Sequence, residues 1–322
     1  MRQMTQTFAR LDRKDVRVPA DVPAAKAETY ISNLLEMTRS TGKLMLFAGD
    51  QKVEHLNDDF YGTSDMGPIP ADDNDPEHLF RIASKAHVGV FAAQYGLISL
   101  YGRDYPSVPY LVKLNSKTHL VGTKQKDPLS SQLVSVRQVL DLKKSSGLPI
   151  VAVGFTIYLG SEYEDEMLRQ AAGVIAEAHQ EGILVVLWIY PRGKAVPDEK
   201  DPHLIAGACG VAACLGADFV KVNAPKKDGA SSGEMLREAV GAAGRTRVVC
   251  AGGSSTDVRK FLQQLHDQLR AGASGNATGR NIHQKPLDEA VRMADAISAL
   301  TLAGSDVDYA MKVYEGKERF SL

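Results

Sequence analysis

Short apolar runs alternate along this chain with longer segments whose apolar positions recur at helical spacing. The runs at 43–49, 88–94, 110–115, 150–158, 183–190, 218–223 and 247–251 predict seven strands. Several are rich in Val and Ile and lack the one-in-two polar spacing of a half-exposed strand. They therefore read as parallel strands buried on both faces. Between them, 164–181, 202–215, 232–243 and 256–271 predict amphipathic helices. Gly147, Gly182, Gly216 and Gly272 each follow a helical pattern, where a helix commonly closes in a left-handed turn.

A repeating strand–helix unit implies a parallel sheet with right-handed crossovers. An eighth, short strand is expected at 272–276, where Gly and Ala dominate. An open, doubly wound sheet also fits alternating units. The number of units and the position of the polar residues favour closure, so the fold class expected is α/β, a (β/α)8 TIM barrel with an N-terminal helical extension. The extension covers 1–41 with one helix at 25–38, the barrel 42–304, and a short polar tail 305–322 after a last helix at 287–302. The connection at 56–77 is long, acidic and rich in Gly and Pro, which suggests a lid or an interface element.

Composition narrows the class. The 322 residues are 44% hydrophobic and 24% charged, with a net charge of −1 and both signs mixed throughout, which argues against a nucleic-acid-binding face. Cys209, Cys214 and Cys250 form neither a disulfide framework nor a CxxC pair and read as three buried small hydrophobes in a reducing compartment. The chain opens Met1-Arg2-Gln3 without the apolar run of a secretory signal, and 183–190 is too short to cross a bilayer. A cytoplasmic protein that does not enter membranes is expected.

In such a barrel the working residues gather at the C-terminal ends of the strands. Here those ends carry Asp50, Asn115, Tyr190, Lys221 with Asn223, and Gly252-Gly253-Ser254. Alternation puts Phe219, Lys221 and Asn223 on one face of their strand. If that face points into the barrel, burial lowers the lysine pKa, and a neutral amine can attack a ketone to give an electron-accepting iminium. The structural alternative is a lysine that points outward or snorkels at the strand end.

Trp188 and Tyr190 share a face, so an indole and a phenol would line one side of the site, the phenol suited to general acid/base work. A core aromatic pair is the alternative, with Pro191-Arg192-Gly193 merely turning the chain. Asp50 could hold the lysine or a carbinolamine, or simply cap a turn; Glu54 and His55 are weaker candidates.

Two glycine-bearing segments, 251–254 and 275–281, read as a phosphate cradle. Gly252, Gly253, Ser254 and Gly279 would offer backbone N–H groups, the following helix N-termini would favour an anion, and Arg280 would add a charged fork. The eight histidines show neither HxH nor HExxH spacing, so no metal is expected, and the acidic loop 58–75 reads as solvated rather than as a cation site.

Taken together, these residues resemble the archaeal-type class I fructose-bisphosphate aldolases, within the wider family that includes deoxyribose-phosphate aldolase. The resemblance rests on Asp50 with Val53-Glu54-His55, Lys113-Leu114-Asn115 and 158–162. It continues through 188–193, Asp218-Phe219-Val220-Lys221, Ala251-Gly252-Gly253 and 279–282.

It implies a lyase of glycolysis and gluconeogenesis that needs no cofactor, takes a phosphorylated sugar as its partner, and assembles as a homo-oligomer. Lys221 would form the Schiff base, Tyr190 would transfer protons and Asp50 would assist imine chemistry. Trp188 and Arg192 would line the substrate, and the ketose-end phosphate would sit on Gly253, Ser254, Gly279 and Arg280.

The chain departs from the family at Gln51-Lys52 and His55-Leu56, where members carry a histidine or glutamine then glycine, and a second glycine after Glu-His. The activity expected is reversible cleavage of fructose 1,6-bisphosphate to dihydroxyacetone phosphate and glyceraldehyde 3-phosphate. The rivals are a lysine-dependent aldolase or transferase acting on another sugar phosphate, in deoxy-sugar or aromatic-precursor chemistry, and a barrel that binds sugar phosphates without turnover.

Overall fold

The computed structural model describes residues 10–120, 126–227 and 233–322. Eight parallel strands close into a barrel: β1 (Leu44–Ala48), β2 (Val90–Gln94), β3 (Tyr110–Lys113), β4 (Ile150–Leu159), β5 (Leu184–Pro191), β6 (Phe219–Val222), β7 (Arg247–Ala251) and β8 (Gly275–Thr278). Neighbours in sequence are neighbours in the sheet, and β1 closes the ring with Leu46 beside Val90 and Leu44 beside Gly275. The closed barrel settles the choice against an open sheet. The eighth strand lies a few residues beyond its expected place, so that Asn276 and Thr278 fall within it.

The doubly buried pattern arises because each strand has two apolar faces to cover. On β1, Leu44, Leu46 and Ala48 belong to an interior cluster with Val90, Leu111, Val186, Trp188 and Phe219. Met45 and Phe47 point the other way, into the layer under the helices. The helical layer contains α1 (Ala27–Met37), α2 (Glu77–Lys85), α3 (Tyr95–Tyr101), α4 (Val136–Ser146), α5 (Glu164–Gln180), α6 (Pro202–Leu215), α7 (Arg237–Ala243), α8 (Val258–Arg270) and α9 (Leu287–Thr301). A short 3-10 turn at Gly233–Leu236 precedes α7 in the segment read as one helix, whose first residue, Ser232, lies outside the described residues. Gly216 closes α6 with φ +91, a conformation that costs a residue with a Cβ about 1 kcal/mol or more.

The extension plugs the bottom of the barrel. Tyr30, Leu34 and Met37 of α1 join the interior cluster, and Asn33 Nδ2 donates to the Gly182 carbonyl at 2.7 Å. Leu34 is fully buried, and its truncation to Ala would cost about 2–5 kcal/mol.

Three expectations are corrected. The tail is not merely polar: α10 (Val307–Tyr314), capped by Asp306, buries Val307, Ala310 and Val313 in the core cluster that also holds α8 and α9 residues. Cys209 and Cys250 are buried, but Cys214 is exposed because it falls on the outer face of α6. The acidic loop is not simply solvated. It forms a hairpin, Thr63–Ser64 with Gly67–Pro68, and its Asp73 is fully buried against His283, with His283 Nδ1 at 2.7 Å from Oδ2. Among the described residues no helix is long and apolar enough to cross a membrane.

Candidate active site

Lys221 stands near the end of β6, with Trp188 beside it on β5. Its face does point inward: the side chain is 5% exposed, and Nζ lies 5.1 Å from the Trp188 ring centroid. A second lysine, Lys113 at the end of β3, reaches the same indole from 4.8 Å. Lys113 Nζ donates to Thr156 Oγ1 at 2.5 Å and sits 3.8 Å from Asp50 Oδ2. Burial lowers the pKa of both amines; Asp50 opposes this in each case, while the positive charge of Lys113 lowers Lys221 further. Thus the ion pair of Asp50 is with Lys113, and its other oxygen is buried without a hydrogen-bond partner among the described residues.

Lys221 and Trp188 line a pocket of about 180 Å³ together with Asp50, Glu54, Tyr190, Arg192, Gly253 and Arg280, among others, and Lys113 lies behind it against Asp50 and Trp188. Tyr190 lies one pleat above Trp188, and burial, together with the carboxylates of Glu54 and Asp50, raises its pKa well above the usual phenol value. It therefore keeps its proton at neutral pH. The Arg192 guanidinium carbon lies 5.8 Å from the Tyr190 ring and 5.4 Å from that of Tyr158, held by Glu199 at 2.9 Å.

Gly252, Gly253, Gly279 and Arg280 line the same pocket, whereas Ser254 faces a neighbouring one. Asn281 Nδ2 donates to the carbonyls of Gly252 and Ser254, both at 3.1 Å, and so clamps the two glycine segments together. A Cβ at Gly279 would come within 2.7 Å of the Ala48 carbonyl oxygen, so the chain there can approach β1 only as glycine. The expected helix contribution is weaker than the sequence suggested. The turn after Gly279 is only Arg280–His283, and α8 begins beyond Ser254 with its N-terminus capped by Asp257.

Lys113, Tyr158 and His119 join the site without an individual role having been expected of them, whereas Asn115, Glu54 and His55 were among the candidates. Lys113 and Asn115 occur in one short motif, yet only Lys113 touches residues that line the pocket, Asp50 and Trp188. Asn115 is structural, its side chain bonding Thr156 N and O and Ser130 O. Tyr158 donates to Glu54 Oε1 at 2.7 Å, and His119 Nε2 lies 3.2 Å from the same oxygen. Burial raises the Glu54 pKa, but the His119 bond, Lys113 and Tyr158 together hold it well below the usual range. Glu54, His55 and His119 bring ligand-type atoms within 4.8 Å of one another, a grouping that no linear spacing could have signalled because His119 arrives from the β3–α4 connection. As arranged, His119 pairs with Glu54, while His55 Nδ1 lies 2.5 Å from Asp59 Oδ2 and its ring is tilted against that of His119, 5.0 Å between centroids.

The two departures in the first loop have a structural account. Lys52 Nζ donates to the Asn74 carbonyl at 2.9 Å and lies 4.2 Å from the Phe60 ring, tying the long connection down. Leu56, where the resembled family carries glycine, keeps a left-handed backbone at φ +57, a strained conformation for a leucine.

Buried polar atoms without a partner among the described residues concentrate here: Asp50 Oδ1, Gln51 Oε1, Trp188 Nε1 and Arg280 Nε. Such atoms cost free energy unless a ligand satisfies them.

The DeoC/LacD family aldolase pattern matches residues 44–285. A Methanocaldococcus jannaschii protein named fructose-bisphosphate aldolase/6-deoxy-5-ketofructose 1-phosphate synthase is 58% identical over 96% of this chain and 98% of its own. A solved fructose-bisphosphate aldolase from Slackia heliotrinireducens superposes with a TM-score of 0.93, at 58% identity, covering 98% of each chain. An archaeal fructose-1,6-bisphosphate aldolase, solved with its catalytic lysine covalently bound to the carbinolamine intermediate, superposes with a TM-score of 0.72. It is 32% identical over 84% of this chain and 99% of that one. A closed parallel barrel, a buried amine at the end of its sixth strand and these likenesses make the chain a member of the DeoC/LacD aldolase family, among the class I, Schiff-base-forming fructose-bisphosphate aldolases.

Proposed function

We propose that the protein reversibly cleaves fructose 1,6-bisphosphate to dihydroxyacetone phosphate and glyceraldehyde 3-phosphate. The observation that carries this reading is a buried, pKa-lowered amine sharing one pocket with a glycine cradle and four unsatisfied polar atoms. The neutral amine of Lys221 attacks the C2 ketone, water leaves, and the iminium accepts the electron pair of the C3–C4 bond. Tyr190 supplies and recovers protons, and Asp50 with Lys113 sets the charge around the carbinolamine. Gly253, Gly279 and Arg280 hold the C1 phosphate, which fixes C2 near the amine. Arg192 and Trp188 line the remaining substrate.

A second reading is favoured by the 58% identical relative, whose name includes 6-deoxy-5-ketofructose 1-phosphate synthase. That product results when the enamine of dihydroxyacetone phosphate adds to the aldehyde of 2-oxopropanal. The same lysine serves both reactions, which differ only in the aldehyde accepted. The reading also carries with it a cytoplasmic, homo-oligomeric enzyme of glycolysis and gluconeogenesis; sedimentation velocity tests the assembly.

Borohydride reduction in the presence of dihydroxyacetone phosphate, followed by peptide mapping, tests the shared step. A reduced adduct on Lys221 is expected, and a folded protein without one overturns both readings. Comparing glyceraldehyde 3-phosphate with 2-oxopropanal as acceptors then decides between them.

A further inference from the structure

The end of the barrel remote from Lys221 holds a larger pocket than the catalytic one, about 450 Å³, where the extension folds against the starts of β6 and β7. Three arginines line it: Arg17 from the extension, and Arg245 and Arg247 from the turn into β7. None of them makes an ion pair with a carboxylate among the described residues. Arg247 instead lies over the Phe219 ring, 5.4 Å from its centroid.

The pocket also contains two carboxylates, and their states differ. Asp15 is exposed on the extension. Asp218 is buried and already engaged: it accepts from the Tyr30 hydroxyl and from Val185 N–H at 2.8 Å, and it faces His179 Nε2 at 3.2 Å. The other His179 nitrogen is 2.8 Å from Asp21, so the ring is held between two acids as an imidazolium and offsets the Asp218 charge. That leaves three guanidinium groups against one solvated carboxylate. Val18, Pro19, Ala213 and Ala217 supply an apolar wall beside them.

We infer that this pocket is a second binding site, for a small phosphorylated metabolite. Three forked donors converging on one concavity match the oxygens of a phosphate monoester, and the apolar wall accommodates a short carbon skeleton. The pocket is lined by Asp218, the residue just before β6 and three positions from Lys221, and Arg247 rests on Phe219 of that strand. An occupant therefore bears on β6 from below without entering the catalytic pocket.

The test is titration calorimetry on the full chain with inorganic phosphate and with glycerol 3-phosphate. Arg280→Ala first removes the guanidinium of the catalytic cradle. In that background about one equivalent of ligand is expected to bind still, and Arg17→Ala or Arg245→Ala, both exposed side chains, should each weaken it by about tenfold. Arg247→Ala should do the same if it folds; melting curves verify folding of every variant. Glycerol 3-phosphate binding more tightly than inorganic phosphate supports the role of the apolar wall. The inference is overturned if Arg280→Ala protein binds neither ligand, or if its binding is indifferent to Arg17 and Arg245. It is equally overturned if these substitutions change the sedimenting mass and not ligand uptake, since the pocket is then a contact between copies.

Discussion

Lys113 and Lys221 hold their amine nitrogens over one indole, 4.8 and 5.1 Å from the Trp188 ring centroid, with the carboxylates of Asp50 and, more weakly, Glu54 opposing the effect of burial at both. Burial and the positive charge of Lys113 both favour the neutral amine at Lys221, which suits the lysine proposed as the nucleophile.

Lys113→Met tests this relationship. It removes the positive neighbour and frees Asp50 to attract the remaining ammonium; both changes raise the pKa of Lys221. The acidic limb of the kcat/KM profile should move to higher pH, and activity near pH 7 should fall on the order of tenfold. An unmoved limb would show that burial alone sets the amine's state.

Tyr190→Phe separates proton transfer from imine formation. The raised phenol pKa keeps the proton on Tyr190 at neutral pH, so its loss should lower kcat by about 10²–10⁴ while the borohydride adduct on Lys221 persists. A kcat that stays near wild type would shift the role to the Glu54–Tyr158 pair, whose hydrogen bond already spans 2.7 Å.

Much of this architecture was legible in the sequence because burial on both faces leaves a simple mark: runs of Val and Ile such as those on β5, and Lys221 interrupting one. Periodicity predicts which face Lys221 shares with Phe219, and the barrel turns that face inward. The eighth strand lies beyond its expected place because Gly275, Asn276 and Ala277 are all residues depleted in strands, and Thr278 alone favours one. The partnership of Glu54, Tyr158 and His119 was hidden for another reason. It joins three separate connections and strand ends, and only the closed barrel brings them together. Helix α10 read as a polar tail because its three buried residues are spaced among charges over barely two turns.

Gly279→Ala addresses the cradle. The added methyl would lie 2.2 Å from Gln51 Oε1, which can move, and 2.7 Å from the Ala48 carbonyl oxygen, which cannot. The segment must back away from β1, costing about 1–3 kcal/mol of stability. It should also displace Arg280, so KM for a phosphorylated substrate rises on the order of tenfold with kcat less affected. Steady-state kinetics with a melting curve checks both; an unchanged KM would remove Gly279 from the phosphate site.

The latch that holds the extension makes stability depend on alkaline pH. His179 is fully buried, and although burial disfavours its charge, the bonds and charges of Asp218 and Asp21 lift its pKa from 6.5 to about 9. The folded value exceeds the unfolded one, so the folded protein binds the proton more tightly. The stabilisation is fully present below pH 6.5 and is lost as pH rises through about 9. Its size is at most roughly 3 kcal/mol. His179→Gln keeps a hydrogen-bonding side chain but removes the titration. The variant should melt several degrees lower at pH 6, and its melting temperature should fall less steeply than that of the wild type between pH 7 and pH 10. Parallel curves for the two proteins over that range would mean that His179 is neutral in the folded state, and that the extension is held by α1 packing alone.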